Sequence, residues 1–594
     1  MTGNVSDSFS VERSFGGMNW RPRLEDGRES LMLAQRLELP ELLARVLAGR
    51  HIGADDAATF LNPTLRDLLP DPAHLKDMNV AAGRLADGVE KGEGIAVFGD
   101  YDVDGATSSA VLKRFFAALG VDCNVYIPDR IKEGYGPNGA ALLELQARGA
   151  KIVITVDCGI SAFEPLAIAA KAGLDVVVVD HHVAEPALPD ACAIINPNRL
   201  DDDSPHGQLA AVGVAYLLVI AVNRELRNRG FYKSRAEPDM MQWLDLVALG
   251  TVCDQVKLTG VNRALVAQGL KVLATRKNPG LVALADVARL ESRPEAWHLG
   301  FLLGPRINAG GRVGQPDLGS RLLSTDDRAE ASDIVKKLDG FNTERREIEA
   351  RVLEEALLKA EENDMGNQPL IFVSGDGWHP GVIGIVASRL GERYHRPVCV
   401  AGIDGDAAKG SGRSIQGIDL GATVIAARQE GLLINGGGHA MAAGFTVARD
   451  RMDELRDFMI TRIAAQQAAL GEELGRILYF DGALTPAGAN PELVHEINRL
   501  APFGAGNSEP RFVLAGVRIG KADVVGENHV RCFVTGPDGG RIKAMAFRTA
   551  DRPLGKALLE SGGLPIHLAG KLRIDDWMGK NGVQFLIDDA APAS

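Results

Sequence analysis

The stretch IAVFGDYDVDG (Ile95–Gly105) decides the fold of this chain. A short apolar run, Ile95 to Phe98, ends directly at an acidic turn bounded by glycines. Such runs are typical of buried strands in a parallel sheet. Two later runs have the same form, Ile152–Val156 before VDCG and Val176–Val179 before VDHH. Because ligands of open α/β sheets bind beyond the carboxyl ends of the strands, all three runs would deliver acidic residues to one crevice.

Four acidic motifs supply the chemistry of that crevice. They contain Asp100, Asp102 and Asp104 in GDYDVDG, Asp157 in VDCG, Asp180, His181 and His182 in VDHH, and Asp254 in GTVCD. Crowded carboxylates repel each other, and some would take up protons unless cations neutralise them. In an extended chain, Asp102 and Asp104 would point to one side and reach the same ion. Carboxylate oxygens with one or two His nitrogens and no thiolate suit Mn²⁺ or Mg²⁺ better than Zn²⁺, so we expect one or two such ions.

Length and composition bound the class of protein. A chain of 594 residues with 46% apolar and 24% charged residues is typical of a soluble protein of three or four domains. The six cysteines are scattered without a CxxC pair, which argues against a zinc cage or disulfides and favours a cytoplasmic protein. No apolar run approaches the length of a membrane span, and the polar N-terminus lacks the apolar core of a signal peptide.

Charge is unevenly distributed along the chain. The net charge of −13 argues weakly against a nucleic-acid partner. However, whole-chain charge is a poor guide in a multidomain protein, because local patches do the binding. Residues 511–580 contain 12 Lys and Arg against 7 Asp and Glu, so this segment is locally basic.

The order of the patterns predicts an α/β protein with several parts. We expect a lead-in over residues 1–40, helices followed by a doubly wound parallel-sheet domain over 41–325, a long connecting helix over 326–365, a second α/β domain over 366–470, and a small β-barrel or sandwich over 471–594. The segment LGPRINAGGR (Leu303–Arg312) is expected to be a loop between helices.

Several motifs together resemble one known family. The triplet Asp180-His181-His182 is the namesake motif of the DHH phosphoesterases, and NGGGHAMAAGF (Asn435–Phe445) resembles the signature of the DHHA1 domain that often follows. Three more segments resemble a bacterial branch of single-strand-specific exonucleases. They are GPRINAGGR, HPGVIGIVASR (His379–Arg389) and PFGAGNSEP (Pro502–Pro510). The resemblance covers about residues 90–590 in order and implies a DHH-type domain, a DHHA1 domain and an OB-fold-like barrel.

The resemblance also implies a function. It is that of a metal-dependent 5′→3′ exonuclease that degrades single-stranded DNA to 5′-mononucleotides in DNA repair and recombination. A cytoplasmic monomer would then be expected, acting on single-stranded DNA together with a single-strand-binding protein and a helicase.

The family's metal ligands carry over onto Asp102, Asp104, Asp157, His181 and Asp254, with Asp100 and His182 beside them in the catalytic set. One departure concerns the position four residues before the first ligand carboxylate. Some DHH enzymes place a His there, whereas this chain has Phe98. The first ion is therefore expected to be weakly held and to arrive with the substrate.

DNA-contacting roles carry over onto a second set of residues. They are Arg130, Tyr135, Arg306, Asn308, Arg312, His379, Ser411, Arg413 and His439. Arg413 and Ser411, in the glycine-rich GSGRS, would hold a terminal phosphate, because a guanidinium pairs with phosphate in a bidentate way. Tyr135 could stack on a base or pack its own loop. Structural alternatives stay open for the others: Arg306 and Arg312 could brace their own segment, His379 could satisfy a buried hydrogen bond, and His439 could support its loop.

Two rival functions are weighed against this hypothesis. A DHH hydrolase of short RNA, cyclic dinucleotides or pyrophosphate would need no OB-like barrel and no PFGAGNSEP segment. A non-catalytic scaffold would have lost its ligands, whereas every core ligand position here keeps Asp or His.

Overall fold

The computed structural model describes residues 9–130, 132–470, 476–575 and 582–593. The chain begins with a strand and four helices. They are β1 (Asn19–Pro22), α1 (Arg28–Leu37), α2 (Glu41–Ala48), α3 (Ala54–Leu61) and α4 (Leu65–Leu68).

A parallel, doubly wound sheet follows. Its elements are α5 (Met78–Lys91), β2 (Gly94–Gly99), α6 (Val103–Ala118), β3 (Cys123–Tyr126), α7 (Gly139–Ala147), β4 (Ala150–Val156), α8 (Phe163–Lys171), β5 (Asp175–Val179) and β6 (Ala193–Ile195). The strand order is β3-β2-β4-β5-β6, and every pairing is parallel. The central strands are almost entirely buried because helices cover both faces, which explains their continuous apolar sequence. The predicted fold class of this domain is confirmed.

Helices continue the chain to the long connector. They are α9 (Ala211–Asn228), α10 (Leu244–Cys253), α11 (Gly260–Ala274), α12 (Pro279–Val287), α13 (Ala296–His298), a π-helical turn (Leu299–Leu303), α14 (Gly304–Val313), α15 (Leu318–Ser324) and α16 (Arg328–Glu362). The loop predicted for Leu303–Arg312 is wrong, since this segment forms α14. The glycines of this helix allow neighbouring groups to pack closely against it. A side chain at Gly311, for example, would meet Tyr101.

The second α/β domain contains β7 (Ile371–Asp376), α17 (Pro380–Tyr394), β8 (Val398–Asp404), β9 (Ala407–Arg413), α18 (Leu420–Gln429), β10 (Asn435–His439), β11 (Ala442–Ala448) and α19 (Met452–Leu470). Its sheet has the order β10-β11-β9-β8-β7, with one parallel pair, β7 and β8. The glycine-rich motifs lie mainly in strands: β9 ends at Arg413, the fourth residue of GSGRS, and NGGGH forms β10.

A closed β-barrel ends the described chain. Its region contains β12 (Ile477–Phe480), β13 (Gly482–Leu484), α20 (Pro491–Asn498), β14 (Phe512–Val525), β15 (His529–Thr535), β16 (Arg541–Ala546), α21 (Pro553–Leu559), β17 (Pro565–Asp575) and β18 (Gly582–Pro592). The order β14-β15-β16-β18-β17 closes through pairing of β14 with β17, which confirms the predicted barrel. Closure leaves none of these five strands as a free edge.

The chain divides into two compact units. Of the described residues, 9–69, 257–267, 476–575 and 582–593 form one, and 70–130, 132–256 and 268–470 form the other. The expected lead-in is folded: β1 pairs with β12, and Trp20 Nε1 donates to the buried carboxylate of Asp589 at 2.8 Å. Helices α2 to α4, which we expected to open the DHH-type domain, belong to the barrel's unit. The pairing of β1 with β12 and the bond from Trp20 to Asp589 join residues more than 400 positions apart. Local sequence patterns do not show such contacts. No helix in the described part of the chain is both long and apolar enough to cross a membrane.

Candidate metal centre and nucleic-acid site

Three neighbouring strands each end one residue before an aspartate. Asp100 follows β2, Asp157 follows β4 and Asp180 follows β5. Asp157 has a left-handed backbone, with φ of 60°, which is uncommon for a residue with a side chain. Its N–H donates to Val179 O at 3.1 Å, and its carbonyl accepts the Tyr135 hydroxyl at 2.9 Å. These two bonds hold the strained turn that presents the Asp157 carboxylate.

Asp102 and Asp104 take different positions from those expected of an extended chain. Asp102 is the N-cap of α6, where its Oδ1 accepts the N–H groups of Asp104 and Gly105 at 2.8 and 3.1 Å. Asp104 lies in the first turn, and its two oxygens accept the N–H groups of Ala211 and Val212 at 2.7 and 2.9 Å. The start of α9 therefore orients the Asp104 carboxylate through backbone donors and the helix dipole.

Buried polar side chains hold His181 and His182 in position. Asp180 is fully buried, and its Oδ1 accepts a hydrogen bond from His182 Nδ1 at 2.7 Å. Two asparagines hold the backbone of the pair: Asn196 Nδ2 donates to His182 O at 2.8 Å, and Asn198 Nδ2 donates to His181 O at 2.6 Å. The sequence motifs place Asp180 in the crevice but outside the catalytic set, and they do not predict either asparagine. The apolar run of β6 directly before Asn196 was the available signal, since it repeats the pattern of the other strands.

The acidic side chains converge on His181. Its Nε2 lies 3.4 Å from an oxygen of Asp157, 3.6 Å from Asp254 and 3.9 Å from Asp104. Three groups of side chains bring potential ligand atoms within 4.8 Å of one another. They are Asp104, His181 and Asp254; Asp157, His181 and His182; and Asp100, Asp102 and Asp157. Since the groups share residues, they form one continuous centre.

Several polar atoms in this centre lack protein partners. Asp100 Oδ1, His181 Nε2 and Asp254 Oδ2 are buried without a hydrogen bond. Leaving such atoms unpaired is costly, so they fit a bound cation. The donors are oxygens and imidazole nitrogens without a thiolate, which fits Mn²⁺ or Mg²⁺. Asp102, Asp104, Asp157, His181 and Asp254 are thus suited to hold the ion or ions.

The pKa values of the acidic residues also favour a bound cation. Burial, and then repulsion from Asp102, raise the pKa of Asp104 to about 7. Burial, and then Asp104 and Asp102, raise the pKa of Asp254 to about 9. Burial and the other carboxylates also raise the pKa of Asp100 and Asp157 well above the ordinary value. Without a cation, this cluster retains protons at neutral pH, and a divalent ion would displace them.

Three arginines lie near one another, and two of them, Arg130 and Arg312, interact with charges of the acidic centre. The guanidinium of Arg130 lies 5.0 Å from the ring of Tyr101, and its charge favours ionised Asp100. Burial, and then the charge of Arg130, lower the pKa of Arg312 to about 10. The same two causes lower the pKa of Arg413. Among the described residues, none of these three guanidinium groups forms an ion pair with a carboxylate. Like charges gathered without acidic partners make a site for anions such as phosphates.

Other residues predicted to contact DNA have structural partners. Arg306 Nε donates to Asp339 Oδ1 at 2.9 Å. Asn308 Oδ1 accepts Val103 N–H at 3.1 Å and so braces the turn at Asp102. His379 caps α17, where its Nδ1 accepts Gly381 N–H at 3.0 Å.

The remaining predicted DNA contacts lie in three places. Tyr135 lies at the metal centre, because its hydroxyl is also 3.4 Å from His182 Nδ1. Ser411 Oγ accepts a hydrogen bond from Arg413 Nη1 at 3.1 Å, which places both side chains together on β9. His439 is exposed at the end of β10. The DNA-binding roles of these residues stay predictions.

A carboxylate and histidine centre at the strand ends of a doubly wound sheet, followed by a second α/β domain, defines a DHH-type phosphoesterase. Family models agree: the DHH family N-terminal domain matches residues 94–251, the DHHA1 domain 367–465 and the RecJ OB domain 480–589. The chain belongs to the RecJ family, whose curated members are described as single-stranded-DNA-specific exonucleases.

Relatives and solved structures cover nearly the whole chain. RecJ of Salmonella typhimurium is 36% identical over 93% of this chain and 96% of its own length. RecJ of Escherichia coli is 35% identical, with the same two coverages. The crystal structure of Thermus thermophilus RecJ with Mn²⁺ covers 96% of this chain and 79% of that protein, with a TM-score of 0.80 and 29% identity. The same protein with Mg²⁺ gives a TM-score of 0.75 over 97% of this chain and 78% of that protein.

Proposed function

We propose that this chain is a metal-dependent exonuclease that degrades single-stranded DNA in the 5′→3′ direction to 5′-mononucleotides, in DNA repair and recombination. The observation that carries the proposal is a buried carboxylate and histidine centre beside three arginines that form no ion pair with a carboxylate among the described residues. Membership of the RecJ family supports the substrate.

The reaction is hydrolysis of the bond between phosphorus and the 3′-oxygen of the terminal nucleotide. The proposed ligands are Asp102, Asp104, Asp157, His181 and Asp254, and bound Mn²⁺ or Mg²⁺ would supply Lewis-acid activation of water and charge stabilisation at the phosphoryl group. Water adds its oxygen to phosphorus, the released nucleotide keeps its 3′-hydroxyl, and the shortened strand keeps a 5′-phosphate.

His182 is the proposed proton donor to the departing 3′-oxygen. Because Nδ1 is engaged with Asp180, Nε2 is the ring nitrogen left for the substrate. Tyr135, whose hydroxyl is bonded to Asp157 O, would limit the position of the His182 ring, since the two rings lie 5.9 Å apart edge to face.

Arg413 and Ser411 are proposed to bind the terminal 5′-phosphate. They share a hydrogen bond on β9, and burial weakens the hydration of the guanidinium, which favours pairing with an anion. Binding one chemical end of the strand would set the polarity of digestion. Arg130 and Arg312 would hold the phosphate next to the acidic centre.

The cellular setting follows from the same proposal. We expect a cytoplasmic monomer that acts on strands exposed by a helicase and covered by a single-strand-binding protein. The barrel would contribute affinity for the strand, because OB folds commonly bind oligonucleotides. Several of its basic residues already form ion pairs, such as Arg531 with Asp523 and Lys543 with Asp575, so the free charge of this segment is lower than its composition indicates.

The test is digestion of 5′-phosphorylated, 3′-labelled single-stranded DNA with Mn²⁺, beside Asp104→Ala and a blunt duplex. We expect progressively shorter labelled products that require both the metal and Asp104, and an intact duplex. Uncut single strands with Mn²⁺ present would contradict the proposal and direct attention to short RNAs and cyclic dinucleotides.

A further inference from the structure

Phe301 is 77% exposed, more than any other large apolar residue in the described part of the chain. It lies in the π-helical turn Leu299–Leu303, in which Leu299 and Leu303 are fully buried. A phenyl ring in water adds nothing to the core, and a polar residue would fit this position as well. Single π-helical turns occur frequently at functional sites.

The turn that carries Phe301 packs against the metal centre. Cys253 Sγ donates to Leu299 O at 3.4 Å, and Gly304 leaves the space into which the Cys253 side chain extends. The next residue, Asp254, has its Oδ2 3.6 Å from His181 Nε2. Phe301 is therefore on a segment that braces the end of α10 where a proposed metal ligand lies.

The same helical run continues to the arginine cluster. From the π-helical turn the chain passes into α14, where Asn308 braces Val103 at the start of α6. Arg312, one of the three arginines that have no carboxylate partner in the described part of the chain, lies at the end of this run. Eleven residues of helix extend over about 16 Å, so the run places an exposed aromatic ring and a phosphate-binding cation along one side of the centre.

We propose that Phe301 is a base-stacking subsite for the substrate strand. The inference rests on the proposed function, because its occupant is a nucleobase of single-stranded DNA. An exonuclease that accepts any sequence needs contacts that every nucleotide can make, and every base has a flat face that can stack on an aromatic ring. A paired base in a duplex has both faces covered by its neighbours, so this subsite would also favour single strands.

Another exposed aromatic residue of this segment is less suited to stacking. The ring of Trp297 packs on His298 with centroids 3.8 Å apart, and its Nε1 donates to Glu295 at 2.9 Å. Phe301 has no ring contact with any residue that the structure describes. Its face is thus available.

The test uses the full chain with Asp104→Ala, so that bound DNA stays intact. Phe301→Ala, Phe301→Leu and Phe301→Trp are added singly, and 5′-phosphorylated strands carry 2-aminopurine at each position in turn. We expect Ala and Leu to weaken binding by about tenfold and to abolish fluorescence quenching at one or two adjacent positions. Trp should preserve both, because it keeps a flat ring.

Leu358→Ala is the matched control, since Leu358 is 54% exposed on α16 in the same unit. It should bind like the parent, and circular dichroism spectra should be unchanged in all variants. Binding by Phe301→Leu equal to the parent would overturn the stacking subsite alone. Failure of the parent to bind any single strand would overturn the proposed function and the subsite with it.

Discussion

His182 Nδ1 donates a hydrogen bond to Asp180 Oδ1 at 2.7 Å, beneath the acidic centre. The same oxygen accepts the backbone N–H groups of His181 and His182, so one buried carboxylate fixes both residues. Burial alone would lower the pKa of His182, but the hydrogen bond to Asp180 and the charges of Asp180, Asp104 and Asp100 together outweigh it, and the pKa is raised. The pair therefore combines orientation with retention of a proton.

Asp180→Asn keeps the size of this side chain and removes its charge. The His182 pKa should fall, so the protonated form disappears at lower pH and the alkaline limb of the kcat profile shifts towards acid. We expect kcat to drop by about 10- to 100-fold. Rates measured across pH on labelled single strands test this. As a control, adding Asp180→Asn to the His182→Gln variant should not move the alkaline limb of the kcat profile. If Asp180→Asn also leaves this limb unchanged in the parent, the role of Asp180 is contradicted.

Metal removal should make stability depend on pH through Asp254. Its folded-state pKa of about 9 exceeds the ordinary value of 3.8, so the folded chain binds the extra proton between these values. Stability of the metal-free protein should therefore fall as pH rises through this window. Asp254→Asn should flatten the dependence, raise the Tm at alkaline pH in chelator, and reduce the stabilisation by Mn²⁺. Thermal melts with and without Mn²⁺ test this prediction. Parallel curves of Tm against pH for the parent and Asp254→Asn would contradict it.

Arg413→Ala should remove the preference for a 5′-phosphate. A lost charge-assisted contact lowers kcat/KM on 5′-phosphorylated strands by about 10- to 100-fold. Strands with a 5′-hydroxyl should be cut at the parental rate. Arg449→Ala, which changes a surface arginine paired with Asp376 in the same domain, is the control and should cut both strands normally. An equal loss on both substrates would show that Arg413 does not read the terminal phosphate.

Trp20→Phe should destabilise the unit that contains the barrel. It deprives the fully buried Asp589 of the indole donor, which costs about 1–3 kcal/mol. Urea unfolding followed by circular dichroism should show the loss, while Mn²⁺ affinity stays the same because the proposed ligands lie in the other unit. Trp297→Phe, at a half-exposed position, should leave the unfolding midpoint unchanged. A normal midpoint for Trp20→Phe would refute the contribution of this bond.

Local pattern predicted the sheet and placed most of the candidate metal ligands at its edge. Asp100 and Asp157 directly follow buried strands, and a parallel sheet brings all its carboxyl strand ends to one edge. The short strands of the C-terminal region, bounded by turns, predicted a small barrel or sandwich, and the family resemblance favoured the barrel. Neither inference required knowledge of distant contacts.

Other features depend on residues far apart in the chain. Asp104 is oriented by the start of α9, and Asn308 by contact with Val103, so neither role shows in a local motif. The glycines of α14 predicted a loop, but in the structure they allow close packing around a helix.

Short segments of the sequence predicted the type of fold, the acidic strand ends and a preference for Mn²⁺ or Mg²⁺ over Zn²⁺, because these follow from periodicity and donor chemistry. Only the tertiary structure decided which side chains act together: Asp180 behind His182, Arg130 beside Arg312 and Arg413, and the N-terminal strand on the barrel's unit. Such contacts are chosen by packing and charge over hundreds of residues, and the energy of each depends on partners that no local pattern contains.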